Sequence, residues 1–313
     1  MEILVNALIL ILGGSGYLGQ RLVSYLQKNS LPCSVATSKP NKVSPDHTVY
    51  LDYYDEFQMT QIFSKYDLII NAAGPSSTYC TKEPLLSKRF YEESTLAICK
   101  ALHGSRVKNF INLSTIHVYG ELQGRTLDEL TLPDPQSSYG KMHLERERLF
   151  FQGIDSTEIN FLNLRLSNAV GAPINSRGES WNLLFNDLAK TAVMNHRIKI
   201  LSNPAIQRDF FAIKDLCRFI ATNSNFSQQG TYNFCSSDSI DLNTAALTLR
   251  DSMQRNFSIE LKLIFEVSAE TSQPLLILNN KIKKDFKFYF TDLTAEIDNL
   301  MLRSAEWFGA HDG

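Results

Sequence analysis

At 313 residues and 43% hydrophobic content, the chain is long and apolar enough for one large α/β domain with an appended lobe. A formal net charge of −2, with basic and acidic residues interleaved, argues against nucleic acid or an anionic membrane as partner and for a small molecule. Residues 3–12 follow Glu2, are too few to span a bilayer and run into a glycine turn, so they are expected to form a strand and not a signal peptide. Five scattered cysteines without C-x-x-C spacing fit the reduced thiols of a cytoplasm, and six histidines without H-x-x-x-H spacing give no metal site.

The first element in chain order is the apolar run 7–12, a buried parallel strand that ends in Gly13-Gly14-Ser15-Gly16-Tyr17-Leu18-Gly19. Gly13 turns the chain, Gly16 lets a pyrophosphate approach the backbone amides, and Gly19 allows close helix packing, with Tyr17 and Leu18 in the first turn between them. An amphipathic stretch at 20–29 and a strand at 33–37 complete a βαβ unit, so the glycines predict a dinucleotide site at a helix N-terminus.

The exit of the second strand reads Thr37-Ser38-Lys39, with no Asp or Glu to accept hydrogen bonds from ribose hydroxyls. Two hydroxyls and a cation suit a 2′-phosphate, which favours NADP over NAD. Asp52 closes a short strand at 48–51, where it either reaches the adenine or caps a helix at 56–65. A strand at 67–71 ends in Asn71-Ala72-Ala73-Gly74, small residues that let cofactor phosphate and ribose lie near the backbone. The polar loop 75–79, with Ser76 and Ser77, is expected to border the nicotinamide end; a core-facing helix at 86–103 and a strand at 107–113 follow.

That strand delivers Ser114-Thr115-Ile116-His117-Val118-Tyr119-Gly120, and a helix begins near Ser138-Tyr139 beyond a proline-containing loop. With Arg165-Leu166-Ser167-Asn168 before Gly171, Gln207-Arg208-Asp209-Phe210 before Asp215, and Tyr232-Asn233, the order of motifs resembles the extended short-chain dehydrogenase/reductase family over nearly the whole chain. This family contains nucleotide-sugar epimerases, reductases and dehydratases. The resemblance implies a doubly wound parallel sheet over residues 1–167, rejoined by 210–237, with a smaller α/β substrate lobe from 168–209 and 238–313. It further implies a nucleoside-diphosphate sugar in the cleft, bound through Asn168 and Arg208, with Thr115 bonded to the reacting sugar oxygen and Tyr139 moving its proton. A homodimer through the helices at 86–103 and 139–152 belongs to the same implication.

Two positions depart from the family pattern. The lysine four residues after the tyrosine is His143, while Lys141 lies roughly 200° round the helix from Tyr139. A histidine there still bonds the ribose but lends less charge to the phenol, which leaves a reduction better served than an oxidation; replacing it by lysine is expected to help the oxidative direction. The acidic pair of the 4,6-dehydratases is replaced by Ile116-His117, which argues against dehydration and leaves His117 beside the sugar. The leading expectation is a 4-keto nucleotide-sugar reductase; the alternatives are a 4-epimerase with retained NAD and a non-catalytic nucleotide-binding relic.

Overall fold

Ile9–Leu12 forms β1 with all four side chains buried, as a central parallel strand requires when apolar neighbours cover both of its faces. In this computed structural model, which describes residues 7–38, 47–154, 158–267 and 271–309, the chain continues through α1 (Tyr17–Lys28), β2 (Cys33–Thr37), β3 (Thr48–Tyr50) and α2 (Glu56–Phe63). Then come β4 (Leu68–Asn71), α3 (Ser77–Lys82), α4 (Pro84–His103), β5 (Asn109–Thr115), β6 (Thr126–Leu127), α5 (Ser138–Ile154), β7 (Asn160–Leu166) and β8 (Asn168–Val170). The remainder is α6 (Leu184–Asn195), β9 (Arg197–Ile200), β10 (Gln207–Ala212), α7 (Ile213–Thr222), β11 (Gly230–Phe234), β12 (Ser239–Asp241), α8 (Leu242–Phe257), β13 (Lys262–Phe265), β14 (Leu276–Ile277), α9 (Asn280–Phe286) and α10 (Thr294–Phe308).

Seven strands make one parallel sheet in the order β11-β7-β5-β4-β1-β2-β3. The order reverses beside β1, and that switch point opens a crevice at the carboxyl ends of β1 and β4. Asn71, Asn112 and Asn163 lie in register on β4, β5 and β7 and are buried, so their amides must bond one another. Asn71 Nδ2 donates to Asn112 Oδ1 at 3.0 Å and Asn112 Nδ2 to Asn163 Oδ1 at 2.8 Å, while Asn71 Oδ1 accepts from the Ala73 amide at 3.3 Å. The small-residue turn after β4 is thereby tied to the sheet.

A second hydrophobic core joins β8, β10, α6, α8 and α10, through residues such as Trp181, Phe185, Phe210, Leu249 and Leu300. Here β8, β10 and β12 form a three-stranded sheet. Of the stretch 210–237, β11 pairs with β7 in the large sheet, whereas residues 210–212 of β10 pair with β8 in the smaller one. The C-terminal stretch differs from expectation: Ile282 and Phe288 pack with Leu164, Phe219 and Phe234 under the large sheet, so part of 238–313 lies outside the smaller core. The segment read as a polar loop at 75–79 becomes the first turn of α3, because the Ser76 hydroxyl caps it by accepting from the Tyr79 amide at 3.2 Å. Likewise the cap of α2 is Asp55, which accepts from Gln58 N at 2.9 Å; Asp52 instead accepts from Tyr54 N. No helix among the described residues is long and apolar enough to cross a membrane.

Candidate active site

The glycine turn has the geometry its sequence requires. Gly13 sits at φ +74°, and a Cβ there would lie 2.6 Å from the Ala73 Cα; a Cβ at Gly19 would lie 2.5 Å from the Gly14 Cα. A Cβ at Gly16 meets only the Gly13 carbonyl, so the space above that residue is open to a ligand backbone approach. Gly16 is also the N-cap of α1, with no side chain capping it and no acidic residue in the first turn, which leaves the helix N–H groups and dipole available to a phosphate. The cradle therefore fits a dinucleotide pyrophosphate.

Neighbouring candidates divide between cradle and scaffold. Tyr17 turns its hydroxyl to the Gly171 carbonyl at 2.6 Å, and Arg21 donates to the Ala172 carbonyl at 2.7 Å and pairs with Glu296, so α1 is anchored to the second lobe. Leu18 packs against the core under the sheet, so neither Tyr17 nor Leu18 offers its side chain to a cofactor. Thr37 is buried with its hydroxyl 3.2 Å from that of Ser15, whereas Ser38 is exposed at the strand exit. Lys39 lies outside the described residues. Asp52 is exposed beside the buried Tyr53, whose hydroxyl accepts from the Gly13 amide at 2.8 Å. Across the crevice, Ala72, Ala73 and the exposed Gly74 follow β4.

The end of β5 is positioned by a buried ion pair. Glu147 of α5 binds Arg165 of β7, with Nη2 to Oε2 at 2.7 Å, and accepts from the Ser114 hydroxyl at 2.5 Å. Thr115 follows and is buried; its Oγ1 accepts from the His117 amide at 3.3 Å, which turns the chain into the short helical segment Ile116–Tyr119. Gly140 lets α5 pack on that segment, since a Cβ there would lie 2.5 Å from the His117 carbonyl. The Tyr139 ring centroid then lies 6.2 Å from that of His117 and 4.5 Å from that of His143. Burial pushes the Tyr139 phenol up to about 12, the nearby Cys80 thiol adds to this, and the Arg146 charge opposes it.

His143 is turned inward. Its Nε2 is 2.9 Å from the hydroxyl of Tyr91 on α4, and its Nδ1 is buried without a partner. Burial and then the charge of Arg146 hold its pKa well below 6.5, so the ring is neutral at neutral pH. One turn further along α5, Arg146 is buried, at 1% exposure. Its guanidinium donates to the Ala73 carbonyl at 2.5 Å, to Thr95 Oγ1 at 3.2 Å and to Ser94 Oγ at 3.3 Å, and stacks on Tyr91 with 4.1 Å to the ring centroid. No ion pair to it exists among the described residues. Sequence reading missed both Arg146 and Tyr91; the one signal is spacing, since positions 139, 143 and 146 share a helix face. In His143→Lys an ammonium would be buried beside the Arg146 guanidinium, which drives it toward its neutral form.

On the second lobe, Arg208 and Asp209 are consecutive on β10 and project to opposite faces. Asp209 is fully buried and accepts from Ser167 Oγ, the Ser236 amide and hydroxyl, and the Ser237 amide, so it is not the partner of Arg208. Arg208 is exposed and has no ion pair among the described residues. Burial and then the Arg208 charge hold the His117 pKa below 6.5. Asn168 donates its amide to the Asp209 carbonyl at 2.8 Å, a scaffold contact that the sequence did not suggest. Ser76 donates to Glu179 Oε2 at 2.8 Å and so links the first lobe to the loop before α6; Ser77 is exposed beside it. Arg208→Ala should weaken binding of a nucleoside diphosphate about tenfold or more, by calorimetry, with dinucleotide affinity and melting temperature unchanged. Loss of folding instead would assign the arginine a structural role.

A doubly wound parallel sheet, an uncapped glycine-started helix at its switch point and a second hydrophobic core define the class of a dinucleotide-binding protein. The chain belongs to the NAD dependent epimerase/dehydratase family, whose model matches residues 9–235. It is 27% identical over 183 residues to a UDP-glucose 4-epimerase of Lacticaseibacillus casei, covering 55% of this chain and 54% of the relative. It is 25% identical over 172 residues to a dTDP-6-deoxy-L-talose 4-dehydrogenase (NAD(P)(+)) of Kitasatospora kifunensis, covering 53% and 54%. The chain thus spans about half the length of the curated relatives it matches. The crystal structure of a UDP-glucose 4-epimerase from Thermotoga maritima with UDP-glucose has the same fold, at a TM-score of 0.79 and 18% identity, covering 96% of this chain and 98% of that one.

Proposed function

We propose that this protein is an NADPH-dependent 4-keto nucleotide-sugar reductase. The observation that carries the reading is the setting of Tyr139: its ring packs against Cys80, Tyr91 and Met142, with the inward-turned His143 and not a lysine one helical turn away, and burial raises the phenol pKa to about 12. When bound, the dihydronicotinamide supplies a hydride to the keto carbon and is itself oxidised. Tyr139 donates its proton to the oxygen that becomes the alcohol, and Thr115 holds that oxygen by a hydrogen bond. A phenol already protonated at neutral pH suits this direction; an epimerase must begin by removing a proton from the sugar hydroxyl and needs the phenolate. The relative named as a 4-dehydrogenase of a deoxysugar nucleotide supports chemistry at C4 of a nucleotide-linked sugar, and the unpaired Arg208 supports a diphosphate.

For the cofactor, the reading rests on a strand exit without an acid, on the exposed Ser38 and on the adjacent Lys39. NADPH should bind more tightly than NADH by fluorescence titration, and Lys39→Ala should reduce the difference. Equal or tighter NADH binding, unchanged by that substitution, contradicts it. A reduced cytoplasm and a homodimer complete the proposal, the latter through α4 and α5, whose outer faces expose Leu85, Leu86, Leu96 and Phe151. The general test is the mass of the dinucleotide released when purified protein is denatured. A reductase releases little or none, since its cofactor exchanges every turnover; stoichiometric NAD favours the 4-epimerase, for which the other relatives' names speak.

A further inference from the structure

We propose that Arg146 is a positioning residue that supplies, from beneath the site, the positive charge absent at position 143, and so stabilises the Tyr139 phenolate formed when the proton is given to the substrate. The inference rests on the reading of Tyr139 as proton donor.

A guanidinium is buried here among a carbonyl, two hydroxyls and two aromatic rings, with Phe90 and Tyr91 centroids at 5.7 and 4.1 Å and no carboxylate paired with it among the described residues. Neutral partners satisfy its hydrogen bonds but not its charge, and an unpaired buried charge is costly to keep. The groups near it that can turn anionic are Tyr91, Tyr53, Tyr139 and Cys80. Of these, only Tyr139 is half-buried, and it packs against Tyr91, on whose ring the guanidinium stacks; Tyr91 and Cys80 are fully buried, and the Tyr53 hydroxyl accepts from Gly13. Tyr139 is faced by Cys80 from α3, Tyr91 from α4, His117 from the turn after β5, and His143 and Arg146 of its own helix. Arg146 is the one permanent cation in that set, because both histidines are held neutral. Its bond to the Ala73 carbonyl also fixes the strand-end turn that faces the same crevice. Tyr91 completes the arrangement: its hydroxyl is 2.9 Å from Nε2 of His143 and donates to the Pro75 carbonyl at 3.2 Å, which orients the imidazole.

The proton transfer makes the charge useful. As Tyr139 O–H gives its proton to the nascent alkoxide, the negative charge moves onto a phenol in a desolvated wall, and a fixed guanidinium nearby stabilises it without reorganisation.

The test replaces Tyr139 by a fluorinated tyrosine and follows its ionisation by fluorine NMR in the full chain without substrate, so that the readout does not depend on turnover. Arg146→Gln keeps a donor toward the Ala73 carbonyl and removes the charge; it should raise the phenol ionisation constant by roughly one pKa unit, a tenfold change, or more. Arg146→Lys keeps the charge and should restore most of the shift. Reductase kcat should fall in parallel for Gln and recover for Lys, with KM little changed. An unshifted phenol in folded Arg146→Gln overturns the inference, even if activity is lost. If the glutamine variant does not fold, the lysine variant decides: a phenol displaced by a full unit despite the retained charge overturns it, and an unmoved one supports it. A shifted phenol in a protein that reduces no keto sugar would leave the inference standing and remove the proposed function.

Discussion

Tyr139→Phe should lower kcat for reduction of a 4-keto nucleotide sugar by about 10²- to 10⁴-fold, the range by which a positioned general acid accelerates proton transfer, while leaving dinucleotide binding intact. The substitution removes one hydroxyl from a half-buried ring that packs against Cys80, Tyr91 and Met142, so folding should survive it. The wild-type rate should also be insensitive to rising pH through the neutral and mildly alkaline range. The acid form is the active one, and burial keeps the phenol protonated until pH approaches about 12. Stopped-flow measurement of the reduced cofactor across pH checks both statements. A basic limb near neutrality that vanishes in Tyr139→Phe would mean that the phenol ionises far more easily than its surroundings indicate.

The largest stability effect is expected at Glu147. Its carboxylate is 3% exposed, meets Arg165 through two atoms of the guanidinium, and accepts from Ser114. Glu147→Ala strands a buried guanidinium and should cost about 3–5 kcal/mol in urea unfolding. Replacing Glu147 and Arg165 together by apolar residues of similar volume should recover much of this, because the loss comes mainly from the orphaned charge. A cost for the single variant no larger than that of a surface pair, about 0–1 kcal/mol, would show that water reaches the pair. Since the same pair holds Ser114 next to Thr115, the single variant should lose activity as well as stability.

The large sheet was legible because its signals are local: apolar runs bounded by glycine or small residues, and helical periodicity between them. β1, the glycine turn, β2 and α4 fall close to where the sequence puts them. Elements defined by tertiary pairing were not legible. β6 and β14 are two residues each and exist by pairing with one another, and no two-residue pattern announces a strand. α3 is rich in Ser and Thr, residues that favour turns by propensity, and is secured by its Ser76 cap. Two acids precede α2, and sequence alone cannot decide that Asp55 caps it while Asp52 bonds within the turn.

The site shows the same division. The motif glycines mark the turn that packs against Ala72 and Ala73, but the sequence does not tell which side chains turn inward. Tyr17 looked like a cofactor contact because it sits inside the glycine motif, yet its hydroxyl reaches another lobe. Arg146 is one of several charges on α5, flanked by acidic residues, and only the packing of α5 on α4 turns it inward. The absence of a lysine at 143 was visible, and its electrostatic substitute was not, because a charge seven residues along a helix acts on Tyr139 only through the fold.

The central claim is that the site is poised to give a proton to a reduced sugar ketone. The most direct measurement mixes purified protein, NADPH and a nucleoside-diphosphate 4-keto-6-deoxyhexose, and follows cofactor oxidation together with the mass of the sugar nucleotide. The predicted result is one NADPH oxidised per keto sugar converted to its alcohol, with two hydrogens gained in the product and the reaction lost in Tyr139→Phe. Interconversion of 4-epimeric nucleotide sugars without added cofactor, by a protein that retains NAD and leaves NADPH untouched, would contradict it.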